Sequence, residues 1–127
     1  MAKAKYKGDE YRLPVYNASR QLYEQFCKST KKLPVNLKRG KVAQTEGWII
    51  DLLDNIIIAS EFDEEHRKEK LDLLHESSDI IRRIMIRVRT LRGINMLSIA
   101  GFSAIAKHED SIVRQLKGWA NSIEKTI

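Results

Sequence analysis

Ile80, Ile81, Ile84, Val88 and Leu91 recur at three- and four-residue spacing, and with Leu73 and Leu74 upstream they keep one face apolar for about five turns. A half-buried strand alternates at a period of two, so this pattern specifies a long amphipathic helix. Three further stretches carry the same signal. Val15, Ala18, Leu22, Phe26 and Ser29 place a helix from about Pro14 to Lys32, with Pro14 in the first turn, where its missing N–H is not needed. Leu33-Pro34 ends it, because the residue before proline avoids the α region. Asn36 is the expected N-cap of a second helix running to about Ser60, with Val42, Ile49, Leu53 and Ile56 facing inward. Asp63 is placed to cap the third helix, Glu64 and Glu65 fall in its electropositive first turn, and Gly93 and Asn95 mark its end. The fourth begins between Ser98 and Asp110 and lines one face with Ile105, Ile112, Leu116, Trp119 and Ile123.

These helices are joined by short links, which force sequential neighbours to run antiparallel. The expected fold is all-α: an antiparallel up-down-up-down four-helix bundle over residues 14–127, preceded by a basic N-terminal tail at 1–13. With 127 residues the chain suits one domain, and two prolines with six glycines are too few breakers for an all-β chain. No apolar run reaches the ~18 residues of a membrane span, and the start of the sequence lacks the apolar stretch of a signal peptide. Cys27 is the lone cysteine, so no internal disulfide can form, and a cytoplasmic protein without a membrane partner is expected.

No catalytic apparatus stands out, and the expectation is a non-enzyme without metal or cofactor. His75-Glu76 begins like a zincin helix, but Asp79 stands where a second histidine would be needed. His66 lies nine residues from His75, which is not a one-face metal spacing. Glu61, Glu65 and Glu69 repeat every four residues without the Glu-x-x-His pairs of a di-iron bundle. Cys27 has basic neighbours that favour thiolate, yet no histidine partner in reach, and reads as a quiet cysteine.

The charge is blocked along the chain. Residues 1–41 carry 11 Lys/Arg against 3 Asp/Glu, residues 42–79 carry 3 against 11, and residues 80–127 carry 9 against 3. Antiparallel packing brings the two basic blocks to one end of the rod, where Lys28, Lys31, Lys32, Lys38, Arg39 and Lys41 meet Arg82, Arg83, Arg87, Arg89 and Arg92, with Lys107 as a further candidate. Glu61, Asp63, Glu64, Glu65, Glu69, Asp72 and Glu76 collect at the other end. At 100° per residue, Arg82, Arg89 and Arg92 are expected to face solvent, and Arg83 and Arg87 to flank the core. Five arginines in eleven residues, without a lysine, favour bidentate phosphate contacts over an ordinary solvated helix face. Few aromatics interleave with them, so base stacking is not indicated. The second helix is apolar nearly all round from Trp48 to Ile58. Trp48, Ile50 and Ile58 fall off its inward stripe, either packing on neighbouring helices or forming an oligomer interface; the latter is the expectation taken forward.

Several runs together are similar to a known family. They are Leu33-Pro34 before a basic helix start, Leu52-Leu53-Asp54-Asn55-Ile56-Ile57-Ile58-Ala59, the run from Ile80 to Val88, and Leu116-Lys117-Gly118-Trp119-Ala120-Asn121-Ser122, of which Gly118-Trp119 is the most specific. From about residue 14 to residue 124 the chain resembles the accessory variability determinant (Avd) proteins of diversity-generating retroelements. These belong to a wider set of bacterial four-helix-bundle proteins that includes those encoded in intervening sequences of ribosomal RNA genes. The resemblance implies a homopentameric barrel whose basic surface binds template RNA or an RNA–DNA intermediate, and also the reverse transcriptase, without being the polymerase. Met96 to Lys107 is more apolar than that pattern leads one to expect. A second function stays open from the residues alone: an oligomeric structural protein that docks a protein partner through its second helix.

Overall fold

The computed structural model describes residues 13–127, so the tail expected at the N-terminus falls, but for Leu13, outside the described residues. Four helices make up the bundle. Helix α1 is Pro14–Thr30. Helix α2 spans 35–61 and is continuous through three segments: Val35–Leu37, a π-helical turn Lys38–Val42, and Ala43–Glu61. A single 3₁₀ turn, Glu64–His66, leads into α3, Arg67–Gly93. Helix α4 is Ile99–Glu124. No strand occurs among the described residues.

The neighbours are antiparallel. Arg87 near the end of α3 bonds to Lys41, Gln44 and Thr45 near the start of α2, whereas Glu76 early in α3 bonds to Asn55 late in α2. Arg92 at the end of α3 reaches Leu97 just before α4, and His75 early in α3 lies 3.9 Å from Glu124 at the end of α4. A Cβ on Gly101, at the start of α4, would sit 3.2 Å from the Ser29 hydroxyl near the end of α1. Each helix packs on its two ring neighbours, α1 on α2 and α4, and α3 on α2 and α4. At 27 residues α3 is roughly 40 Å long, so the bundle is a rod.

The core follows an alternating three-four seam. On α2 the buried positions are Val42, Thr45, Ile49, Leu52, Ile56 and Ala59, with Asn55 beside them; on α3 they are Leu74, Ser77, Ile81, Ile84, Val88 and Leu91, with Ile80 beside them. This is coiled-coil-like packing, a stripe narrower than a general amphipathic face. It explains where the expected stripes were one residue off. Leu52 is buried and Leu53 half-buried, Thr30 is buried and Ser29 half-buried, and Leu73 and Trp119 flank the core. Lys70 covers the Trp119 ring at 5.6 Å. Four buried hydroxyls, Ser19, Thr30, Thr45 and Ser77, each bond the carbonyl four residues back, at 2.7 to 2.8 Å, so these seam positions carry no unpaired donor.

The helix ends have local causes. Asn95 adopts φ 63°, the left-handed conformation that closes a helix after Gly93. Asp63 accepts from the Glu65 amide and holds the His66 ring at 2.6 Å. That hydrogen bond keeps the Asp63 carboxyl below, and the His66 imidazole above, their ordinary values. Ser98, not a residue further on, opens α4: its hydroxyl accepts from the Gly101 amide at 2.9 Å. The expected cap at Asn36 is corrected, since Pro34 occupies that position and Asn36 lies inside the first turn with no side-chain cap. Pro34 is already extended at φ −55° and ψ 147°, so the helix starts two residues earlier than a capping side chain would place it. Ser98→Ala should therefore lower unfolding stability by about 1 kcal/mol in urea titration. Asn36→Ala should leave it within about 0.5 kcal/mol.

Candidate nucleic-acid interface

The end of the rod where α1 stops, α2 starts, α3 stops and α4 starts carries Lys28, Lys31, Lys32, Lys38, Arg39 and Lys41, all exposed. The Lys38 ammonium donates to the Lys31 carbonyl at 2.8 Å and so satisfies an orphan acceptor at the end of α1. Among the described residues, none of these six side chains is in an ion pair. Lys107 is exposed on α4 farther along the rod. At the opposite end Glu61, Asp63, Glu64, Glu65, Glu69, Asp72 and Glu76 are all exposed, so the rod is electrically polar along its axis.

The five arginines of α3 are not equally placed: Arg82, Arg83 and Arg89 are exposed, and Arg87 and Arg92 are half-buried. Arg82 and Arg83 sit roughly 15 Å back from the end of α3, at 1.5 Å per residue. Arg82 is 3.7 Å from Asp79. Arg83 lines a groove between α2 and α3 together with Asp51, Asp54, Glu76 and Asp79, a surface of mixed charge. Arg87 is half-buried and holds α2: it donates to the Lys41 carbonyl and Thr45 hydroxyl at 3.1 Å and to Gln44 at 3.0 Å. Arg92 was expected in solvent but is half-buried, donating to the Leu97 carbonyl at 3.1 Å. It directly follows Leu91 and lies one turn after Val88, on the flank that faces α4. Arg89 alone is both exposed and near the basic end.

Trp48 also has neighbours within its own bundle. It is half-buried against the core, with the Arg87 guanidinium 4.6 Å and the Arg83 guanidinium 5.5 Å from its ring centre, so part of its apolar surface is covered within the bundle. Ile50 and Ile58 remain on the surface at 43% and 44% exposure. Cys27 lies 3.6 Å from Glu46, and burial followed by that carboxylate pushes its thiol up, opposite to the thiolate its basic sequence neighbours favour. Among the described residues no group of three or more His, Cys, Asp or Glu is placed to hold a metal ion, and no helix is long and apolar enough to cross a membrane.

One titratable group had no readable signal in the sequence. Glu109 occupies a seam position of α4 between Ile105 and Ile112, is 3% exposed, and its Oε2 has no hydrogen-bond partner. Burial first, and then Asp110, push its carboxyl up to about 7 against a smaller opposing pull from Arg89. Its neighbours in sequence, His108 and Asp110, mask it as one more polar residue on a charged turn.

A scan of protein-family models finds no match to this chain, and a search of curated proteins finds none either.

Two outcomes follow from these contacts. Arg87→Ala removes three hydrogen bonds and a ring contact, and should cost about 2 kcal/mol in urea unfolding. Arg82→Ala, which removes only an exposed pair, should cost less than about 0.5 kcal/mol. For Glu109, the folded chain keeps its proton up to about pH 7, whereas the ordinary value is 4.5. Its contribution to stability therefore falls as pH rises through that window and is flat above it. Glu109→Gln should remove a fall on the order of 3 kcal/mol from the stability difference between about pH 4 and pH 8.

Proposed function

We propose that this protein is a non-enzymatic nucleic-acid-binding subunit that grips phosphate backbone with the basic end of its rod. The supporting observation is the convergence of Lys28, Lys31, Lys32, Lys38, Arg39 and Lys41 with Arg89 from α3, exposed and outside any ion pair among the described residues. Lysine ammoniums on flexible stems bind phosphate as point charges, and such contacts position a strand without reading its bases. The resemblance to Avd proteins gives this grip a setting: an accessory to a reverse transcriptase that binds template RNA or an RNA–DNA intermediate in the cytoplasm. Ile50 and Ile58, exposed on α2, favour an accompanying homo-oligomer, a pentamer by the same resemblance. If that apolar face is the main working surface, the protein is instead a scaffold that docks a protein partner.

Binding to RNA or DNA should weaken steeply with salt, with a logarithmic slope of about −0.7 to −0.9 per phosphate contacted. Replacing Lys31, Lys32, Arg39 and Arg89 together by alanine should weaken binding to all sequences alike and flatten the slope by about one unit for each phosphate no longer neutralised. Charge reversal at Glu64, Glu65 and Glu69, at the far end, serves as the control. An alanine variant that binds as tightly as the parent with an unchanged slope makes the basic end a solvated surface. Light scattering checks the assembly: the parent should be a discrete oligomer that Ile50→Glu with Ile58→Glu breaks down, and a parent monomer at micromolar concentration rejects it.

A further inference from the structure

The basic end is also where exposed aliphatic side chains gather. Val35 opens α2, Ile94 follows α3 and Ile99 opens α4, and they are 61%, 52% and 68% exposed. The short links put all three at one end of the rod, and the approach of Gly101 to the Ser29 hydroxyl closes that end between α1 and α4. Folding does not require these side chains, since the last core layer beneath them is already filled by Val42, Leu91 and Leu97. Met96 and Phe102 pack against the core, whereas Ile99 stays exposed.

Single exposed aliphatics are ordinary, but three at one end, set among unpaired cations, form a composite surface. Lys31, Lys32, Lys38 and Arg39 are exposed at the same end, so whatever covers the three aliphatics must also answer a concentration of positive charge. A nucleic-acid strand offers both in one molecule, phosphate for the cations and base for the aliphatics. In a duplex the base faces are consumed in the stack, and an aliphatic wedge must first unstack them. In an unpaired strand the faces are free, and an aliphatic group against them removes apolar surface of both from water.

We infer that this end selects nucleic acid with unpaired bases, the cations holding the phosphates and Val35, Ile94 and Ile99 lying against the bases. The inference rests on the phosphate-binding reading and adds to it a preference for strand state. The test is fluorescence anisotropy with a labelled unstructured RNA and a blunt duplex of equal length. The parent should bind the unpaired strand roughly fivefold to tenfold more tightly. The variant carrying Val35→Ser, Ile94→Ser and Ile99→Ser, with parental helicity by circular dichroism, should bind both at the duplex affinity with an unchanged salt slope. Equal or tighter binding of the duplex by the parent overturns the inference while leaving phosphate binding intact, and so does a serine variant that keeps the preference. A folded parent that binds neither RNA rejects the phosphate reading itself, and the inference with it. Parent binding to phosphatidylserine vesicles that disappears in the serine variant, with no preference between the RNAs, assigns the posts to a lipid surface instead.

Discussion

Three short connections decide most of what this molecule presents to its surroundings. None is long enough to carry the chain back along the rod, so each helix must return beside the one before it. That return converts a one-dimensional charge pattern into an axial one. The basic start of α2 and the end of α3 are about fifty residues apart in sequence, yet they are joined by the bonds from Arg87 to Lys41, Gln44 and Thr45. The acidic end of α2 and start of α3 are similarly joined through Asn55 and Glu76. Reversing one helix would mix the signs and abolish the polarity, so the function proposed here depends on topology before it depends on any single side chain.

Much of this was legible in the sequence, for a physical reason. Helix type and number follow from apolar periodicity, and the direction of neighbours from link length; neither needs knowledge of partners. The charged ends follow from the two together. What was not legible depends on contacts between helices. Whether an arginine faces solvent is an angular question within about 40°, and Arg92 lies on the wrong side of that margin, where it meets the Leu97 carbonyl. The π turn at Lys38–Val42 leaves no trace in periodicity, because Val42 still begins the seam that continues to Ala59. Trp48 looked surplus on α2 because the guanidiniums that cover it come from α3. Glu109 was invisible because its neighbours in sequence are polar, while its neighbours in space are the apolar seam.

Glu109 marks a conflict between packing and charge inside the seam. The buried Asn55 amide donates across to Glu76, and the buried hydroxyls Ser19, Thr30, Thr45 and Ser77 return their hydrogen bonds to their own helix, four residues back. A glutamate is too long to do so and has no proton to donate once ionised, so its position conflicts with packing whenever it is charged. The counter-charge that eases the conflict is Arg89, the one α3 arginine left outward near the basic end. A cation engaged by a phosphate outside is a weaker counter-charge for a carboxylate inside.

The distribution of arginine and lysine bears on what kind of grip the basic end can have. Arginine is used here where a planar fork must satisfy several acceptors at once: Arg87 across Lys41, Thr45 and Gln44, and Arg92 on the Leu97 carbonyl. The arginine-rich run that suggested bidentate phosphate contacts in the sequence is thus largely occupied within the bundle. The exposed end is left mainly to lysine, whose ammonium follows a phosphate without fixing its orientation. A surface of this kind supplies electrostatic attraction and little geometric selection. Selectivity must then come from the uncharged side chains at this end, of which Val35, Ile94 and Ile99 are the exposed aliphatic ones. Such groups discriminate by whether base surface is accessible and are indifferent to which base it is, so the expected specificity is for the state of the strand, with sequence contributing little.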